Sequence, residues 1–197
     1  DLRYKIFMCH KDKRDLQGTA ALEYIHWGEA QGYHERPTCR GRQRWWEARL
    51  EFGNAVFVKE ANDSSAVFFN PGRLPVDCRL YVAQLPFEQL VYLNSVVACL
   101  LFEIFNRAAL GEGARSLMVS DYNKVPCLEA ELPDSEKTLR NVCHKQPRKL
   151  LERFDTDWRG LDDVVFDVLG LTVGEREAVY EAVVNLVRAR LEKARSV

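Results

Sequence analysis

Closely spaced cysteine pairs are missing from this 197-residue chain, although it holds six cysteines. Structural zinc sites usually draw on ligands two to four residues apart. Cys9-His10 and Cys143-His144 could therefore share a metal only if the fold joined two distant segments. Cys99 lies in an apolar helical pattern and Cys127 follows a strand-like run, so both read as small core residues. With Cys39 and Cys78 equally isolated, a reduced, cytoplasmic protein is the expectation. An apolar run of bilayer length is missing too, so no membrane partner is expected. An excess of charge is also lacking, since 28 Lys and Arg stand against 29 Asp and Glu. That balance excludes a uniformly basic binder, and any anion-gripping face must be local. There is no initiator Met and no signal-peptide pattern. Asp1-Leu-Arg-Tyr-Lys-Ile opens as though cut from inside a longer protein.

The signatures of catalysis are absent as well. A dinucleotide or S-adenosylmethionine fold needs a glycine-rich turn directly after an early strand. The close pair Gly111 and Gly113 instead follows a helical pattern. The Asn/Asp-Pro-Pro-aromatic loop of an amino-methyltransferase is approached by Phe69-Asn-Pro-Gly-Arg73, which lacks the second proline and the aromatic, and so reads as a turn. No lysine has an acid two residues before it, as a common metal-dependent nuclease requires. No G-x-S-x-G occurs. His10, His26, His34 and His144 show no ligand or triad spacing and read as surface or satisfied structural histidines.

Against this background one stretch stands out, Arg36-Pro-Thr-Cys-Arg40-Gly-Arg42-Gln-Arg44-Trp45-Trp46. Arginine offers a planar fork for phosphate or a guanine edge, and tryptophan a flat face to stack on. The stretch suits a nucleic-acid surface. It also suits a buried tryptophan pair flanked by arginines paired with nearby acids.

The remaining pattern is α+β. Tyr4 to Cys9 fits a strand. Ala20 to Ala30, with Leu22, Ile25, Trp27 and Ala30, fits a short helix capped beyond its end by Gly32. Ala55–Val58, Ala66–Phe69 and Leu80–Val82 are β-branched and aromatic runs parted by turns. Phe87, Leu90, Val91, Asn94, Val97, Leu101 and Ile104 predict one long central helix from about Pro86 to about Arg107. Ser116–Val119 and Val125–Leu128 read as short extended pieces. From Pro133 to Arg148 the chain turns polar, as a linker with a helical turn. Two helices follow, near Leu161–Leu169 and Val173–Ala194. Glu175 and Glu177 open the last one and Arg190, Lys193 and Arg195 close it, in the order the helix dipole favours. Its strip Tyr180, Val184, Val187 and Leu191 would pack on its own domain or on a partner helix. The expectation is a small mixed or antiparallel sheet with a long central helix in residues 1–132. A linker and C-terminal helical segment would occupy 133–197.

Several motifs together resemble a known family. Tyr33-His-Glu-Arg-Pro-Thr-Cys-Arg-Gly-Arg-Gln-Arg-Trp-Trp46 and Val67-Phe-Phe-Asn-Pro-Gly72 are similar to the C-terminal target recognition region of bacterial adenine-N6 DNA methyltransferases. So are Leu93-Asn-Ser95, Gly111-Glu-Gly-Ala114 and Asp121-Tyr-Asn-Lys-Val-Pro126. These enzymes include fused type II restriction–modification proteins, and their recognition regions resemble those of type I specificity subunits. Leu161-Asp-Asp-Val-Val-Phe-Asp-Val-Leu-Gly-Leu171 and Glu175-Arg-Glu-Ala-Val-Tyr-Glu-Ala-Val183 look like the tails of the same fused proteins. The resemblance covers most of the chain and implies a division of labour. An upstream methyltransferase domain would bind S-adenosylmethionine and flip the adenine, while this region, without a cofactor of its own, grips double-stranded DNA and reads base edges. Within that frame Arg36, Arg40, Arg42 and Arg44 are candidates for phosphates or guanine edges. Lys59 and Asn62 sit at an expected strand-to-strand turn that could enter the major groove. Gly111, Gly113 and Arg115 form a small-residue loop whose amides could approach a phosphate. Trp45 joins the candidates, although one of Trp45 and Trp46 is expected in the core. Lys124 reads as a solvated charge. The rival expectation is a structural or subunit-docking module.

Overall fold

The computed structural model describes residues 6–48, 50–64, 66–105, 113–145, 147, 149–151 and 156–196. They fall into two compact units, residues 1–50 and 51–197.

The first unit is built around α1, Ala20–Ala30. Thr19 starts it by accepting a hydrogen bond from the Leu22 amide at 3.3 Å, and Gly32 (φ +73°) turns the chain away after its end. Leu22 and Ile25 point inward with Leu16 of a preceding 3-10 turn, and Phe7, Cys9, Trp45 and Trp46 pack on them. The strand expected over Tyr4–Cys9 is irregular backbone in its described part, residues 6–9. A lone extended run with no ladder partner gains nothing from the strand conformation.

The second unit has the expected α+β architecture, with an antiparallel sheet of β1 (Ala55–Val58), β3 (Val67–Phe69) and β4 (Leu80–Ala83) in the order β3-β1-β4. Ala55 stands opposite both Phe69 and Ala83 in the ladders. The central strand is buried on both faces at Ala55, Val56 and Phe57, which is why it reads as a continuous apolar run rather than an alternating one. A second ladder joins β2 (Glu60–Ala61) to β5 (Arg115–Ser116). A short α4 (Val119–Tyr122) takes the place of the extended piece expected around Val119.

The long central helix is in fact two, α2 (Phe87–Leu93) and α3 (Val96–Phe105), bent by 65° at Asn94-Ser95. The expected end near Arg107 lies outside the described residues. The apolar stripe is continuous through the break because both halves face the same core, but two polar side chains divert the backbone. Asn94 donates to the carbonyls of Leu90 and Val67, each at 2.8 Å, and accepts from the Val67 amide at 3.0 Å. Ser95 Oγ donates to the Tyr92 carbonyl at 2.7 Å and accepts from the Ala98 amide at 3.3 Å, giving α3 its own cap. Short polar side chains that bond nearby backbone compete with the helix ladder in this way. The grip of Asn94 on Val67 recurs. Asn54 holds both backbone groups of Leu85, Asn70 those of Leu74 and Gln89 those of Leu128. These amides satisfy backbone groups that the small sheets leave without a neighbouring strand.

The change of composition after Leu132 is not a break in packing. Leu132 and, from α5 (Ser135–Val142), Leu139 and Val142 are buried in one cluster with Leu90, Val91, Phe102 and Trp158. Next come α6 (Thr156–Val168), which begins ahead of the expected Leu161 and ends one residue before Leu169, and α7 (Val173–Arg195), one residue longer than expected. Thr172 and Glu175 form a reciprocal capping box at the start of α7. Tyr180, Val183 and Val187 of α7 bury themselves against Val96, Cys99 and Phe166.

Candidate nucleic-acid interface

The basic-aromatic stretch divides into an outward and an inward half. After the 3-10 turn Tyr33–Glu35, consecutive turns follow in which the Cys39 and Arg40 amides bond the Arg36 carbonyl, and the Arg42 amide that of Cys39. This winding leaves Arg36, Arg40 and Arg42 exposed. Arg36 lies over the Tyr33 ring, 4.3 Å from its centroid. Arg42 donates to the Glu47 carbonyl at 3.3 Å. None of the three has a carboxylate partner among the described residues.

Arg44 and Trp45 serve the first unit itself. Arg44 donates to Glu47 at 2.8 and 3.2 Å and to Asp12 at 3.2 Å, and His10 reaches the same Glu47 at 3.0 Å. Trp45 lies across α1 at Gly28, where a side chain would overlap the indole, and donates to Glu29 at 3.0 Å. Lys13 donates to Glu29 at 2.7 Å. Burial raises the Glu29 carboxyl, but the hydrogen bonds from Lys13 and Trp45 outweigh it and hold the group below its ordinary range. The guanidinium of Arg44, followed by His10, holds Glu47 at about 2, against an ordinary 4.5. A carboxylate depressed on folding stabilises the fold above its unfolded value, and that stability is lost as pH falls through the folded one. Acid unfolding of the first unit is therefore expected to begin below pH about 4.5 and run towards pH about 2. Glu47→Gln should flatten that limb in a pH series of thermal melts, and an unchanged limb would contradict the assignment.

Asp12, Glu29 and Glu47 are thus taken by Arg44, Lys13 and His10, and no described carboxylate pairs with the outward arginines. The imbalance extends to the whole unit. Residues 1–50 carry ten Lys and Arg against seven Asp and Glu, a net +3, and residues 51–197 carry 18 against 22, a net −4. The near-neutral total conceals a segregation of sign.

A row of rings on the first unit escapes the sequence reading. Phe7 and Tyr24 have centroids 4.8 Å apart, Tyr24 and Trp27 5.4 Å apart and nearly parallel, and Trp27 and Tyr33 5.6 Å apart edge-on. Tyr24 and Trp27 are 49% and 48% exposed. Trp27 therefore does not belong to the inward face with Leu22 and Ile25, where the helical pattern groups it. The available signal was that Tyr24 and Trp27 are three apart and so neighbours on one helix face.

In the second unit the expected groove-entering residues are held by the fold. The segment after β1 is not a free hairpin tip, because β2 pairs with β5 and the Leu117 amide bonds the Lys59 carbonyl at 2.7 Å. Lys59 donates to the Cys78 carbonyl and stands 4.6 Å from the Tyr81 centroid. Asn62 keeps an exposed side chain, and its carbonyl accepts from Arg190 at 2.9 Å. Gly113 (φ +74°) packs on Leu191 and Ala194 of α7, and its carbonyl also accepts from Arg190. Gly111 lies outside the described residues. Arg115 is 1% exposed and cannot reach a phosphate from there. Its Nη1 is 3.2 Å from Glu103, which also binds Arg190 at 3.0 and 3.1 Å. Among the described residues no side-chain N–H of Arg115 makes a hydrogen bond, so its link to Glu103 is charge on charge. Burial pushes the Arg115 guanidinium down in pKa, with Glu103 opposing. Arg190, placed by sequence as a dipole-complementing charge, is thus a latch joining α3, α7 and the two-stranded sheet. Lys124, expected in solvent, pairs with Asp121 at 2.7 Å.

The second unit also holds a mostly apolar cavity of about 270 Å³ between β4, α2 and α4, lined by Phe57, Tyr81, Leu93, Tyr122 and Cys127 among others. Among the described residues no three His, Cys, Asp or Glu side chains come together as a metal site would need. Compared with models of known protein families, with curated proteins and with solved structures, the chain matches none.

Proposed function

We propose that this chain is the target recognition part of an adenine-N6 DNA methyltransferase of the restriction–modification kind, binding double-stranded DNA in a sequence-specific way. On this reading the chemistry and the S-adenosylmethionine belong to an upstream methyltransferase domain. The observation that carries the reading is the set Arg36, Arg40 and Arg42, exposed and without carboxylate partners among the described residues, on a unit of net positive charge. Guanidinium forks held free of acids are what phosphates and guanine edges require. The motif resemblance supplies the family. The rival docking role loses its main support, since Tyr180 and Val187 of the apolar strip on α7 are buried within the second unit.

The test is selection of this chain against a randomised duplex library, followed by binding measured across salt concentrations. One short motif should be enriched, with affinity falling steeply as salt rises. The variant Arg36→Ala/Arg40→Ala/Arg42→Ala should reduce the slope of log K against log salt by about 2–3, since each lost phosphate contact removes about 0.9. Arg44→Ala should instead lower stability. Selection without enrichment and without salt dependence would refute the proposal.

A further inference from the structure

The row of rings on α1 lies in the same unit as the free arginines, and the duplex reading gives it no task. Tyr24 and Trp27 are nearly parallel, yet their centroids stand 5.4 Å apart. Rings in full face-to-face contact sit at about 3.5–4 Å. These two, inclined by 24°, are not in full face-to-face contact. Both are about half exposed, whereas large aromatics on a small unit usually turn inward. Tyr33 continues the row and carries the Arg36 guanidinium on its ring at 4.3 Å. A partly open aromatic row, its successive rings inclined by 55°, 24° and 82°, therefore runs into a cationic group with no carboxylate partner among the described residues.

An apolar protein partner would explain the rings but not the uncompensated Arg36, Arg40 and Arg42, which would be left without anions. A nucleic-acid strand explains both features. Its phosphates match the arginines, and its bases have π-faces that stack on aromatic side chains irrespective of sequence. An intact duplex offers phosphates but keeps its base faces closed, so the rings require bases that have left the stack.

Resting on the nucleic-acid reading above, we infer that the row Phe7, Tyr24, Trp27 and Tyr33 is a stacking surface for unpaired bases. The chain then binds a single strand, or a duplex carrying an unpaired base, more tightly than a fully paired duplex. The shared chemistry is an unpaired nucleobase beside a phosphate, whether its sugar is deoxyribose or ribose.

The test uses the full chain with four probes: a thymidine 12-mer, a uridine 12-mer, a paired 12-base-pair duplex, and that duplex with one bulged thymine. Affinity is read together with tryptophan fluorescence. The expected result is tighter binding of either single strand, and of the bulged duplex, than of the paired one, with quenching on binding. The tighter of the two single strands identifies the sugar. Trp27→Leu should weaken the unpaired probes by on the order of tenfold and abolish most of the quenching, with little effect on the salt slope. Trp27→Phe, which keeps a ring, should bind within a few-fold of the original chain while also losing the quenching. Both variants change a half-exposed side chain, and thermal melts check that they fold. Paired duplex binding as well as the unpaired probes, or Trp27→Leu binding like the original chain, would overturn the inference while leaving the duplex reading intact. Failure of every probe to bind at low salt would overturn both.

Discussion

Glu103→Gln is expected to lower the unfolding free energy of the second unit by about 3–5 kcal/mol. Among the described residues Glu103 is the one carboxylate between two guanidiniums, Arg115 at 3.2 Å and Arg190 at 3.0 Å. The three side chains are 2%, 1% and 8% exposed respectively. An amide in place of the carboxylate leaves two cations repelling one another out of water. Arg190 can still hold the carbonyls of Gly113 and Asn62, but the Arg115 side chain has no hydrogen-bond acceptor among the described residues. Since whole domains are stable by about 5–15 kcal/mol, the loss would be a large part of the total. Urea unfolding measures it, as a lower midpoint with an unchanged slope. Glu103→Leu combined with Arg115→Met provides the contrast. Removing a buried pair together is often nearly neutral, and Arg190 keeps the carbonyls of Gly113 and Asn62, so this double variant should lose less stability than Glu103→Gln. A loss below about 1 kcal/mol for Glu103→Gln would mean that water reaches the guanidiniums.

Asp162→Ala is expected to cost about 3 kcal/mol and to lower Tm by roughly 6–12 °C. Asp162 is 1% exposed on α6. One of its oxygens accepts from the Val96 amide at 2.7 Å, and the other from the Tyr180 hydroxyl at 2.7 Å. The first bond places a carboxylate from 66 residues away at the positive end of α3. The second ties α7 to α6. Alanine leaves a buried amide and a buried hydroxyl without their acceptor. Asp162→Asn keeps one acceptor and should lose roughly half as much. Amide hydrogen exchange locates the effect: protection should fall first at Val96 and its neighbours. If exchange there is unchanged while stability drops, the bond to Val96 is not what holds the restart of the helix.

Both of these residues were out of reach of a linear reading. Glu103 and Arg115 lie near the poorly patterned stretch around Gly111, and Asp162 belongs to a helix that reads as generic and amphipathic. What makes each one matter is a partner many positions away, and a partner leaves no period in the sequence. The break at Asn94-Ser95 shows the limit from the other side. Periodicity reports which face is apolar, and that face survives a 65° bend, so a stripe alone cannot distinguish one helix from two. Arg115 failed as a candidate contact for the same reason: an arginine beside glycines looks exposed until its carboxylate is found.

Local chemistry by itself determined a good deal. The bounds of α1, the left-handed Gly32 beyond it, the capping box of α7 and the three strands of the main sheet all follow from neighbours within a few residues. Caps, turns and β-branched runs act at that range. The tertiary structure alone decided which of four arginines are free. Arg44 has Glu47 three positions on, but Arg36 also has an acid beside it, Glu35, and no ion pair with it among the described residues, so local sequence does not separate the four. They differ because folding brings Asp12 and Glu47 to Arg44 and no described carboxylate to the others, and charge compensation depends on distance in space rather than on order along the chain.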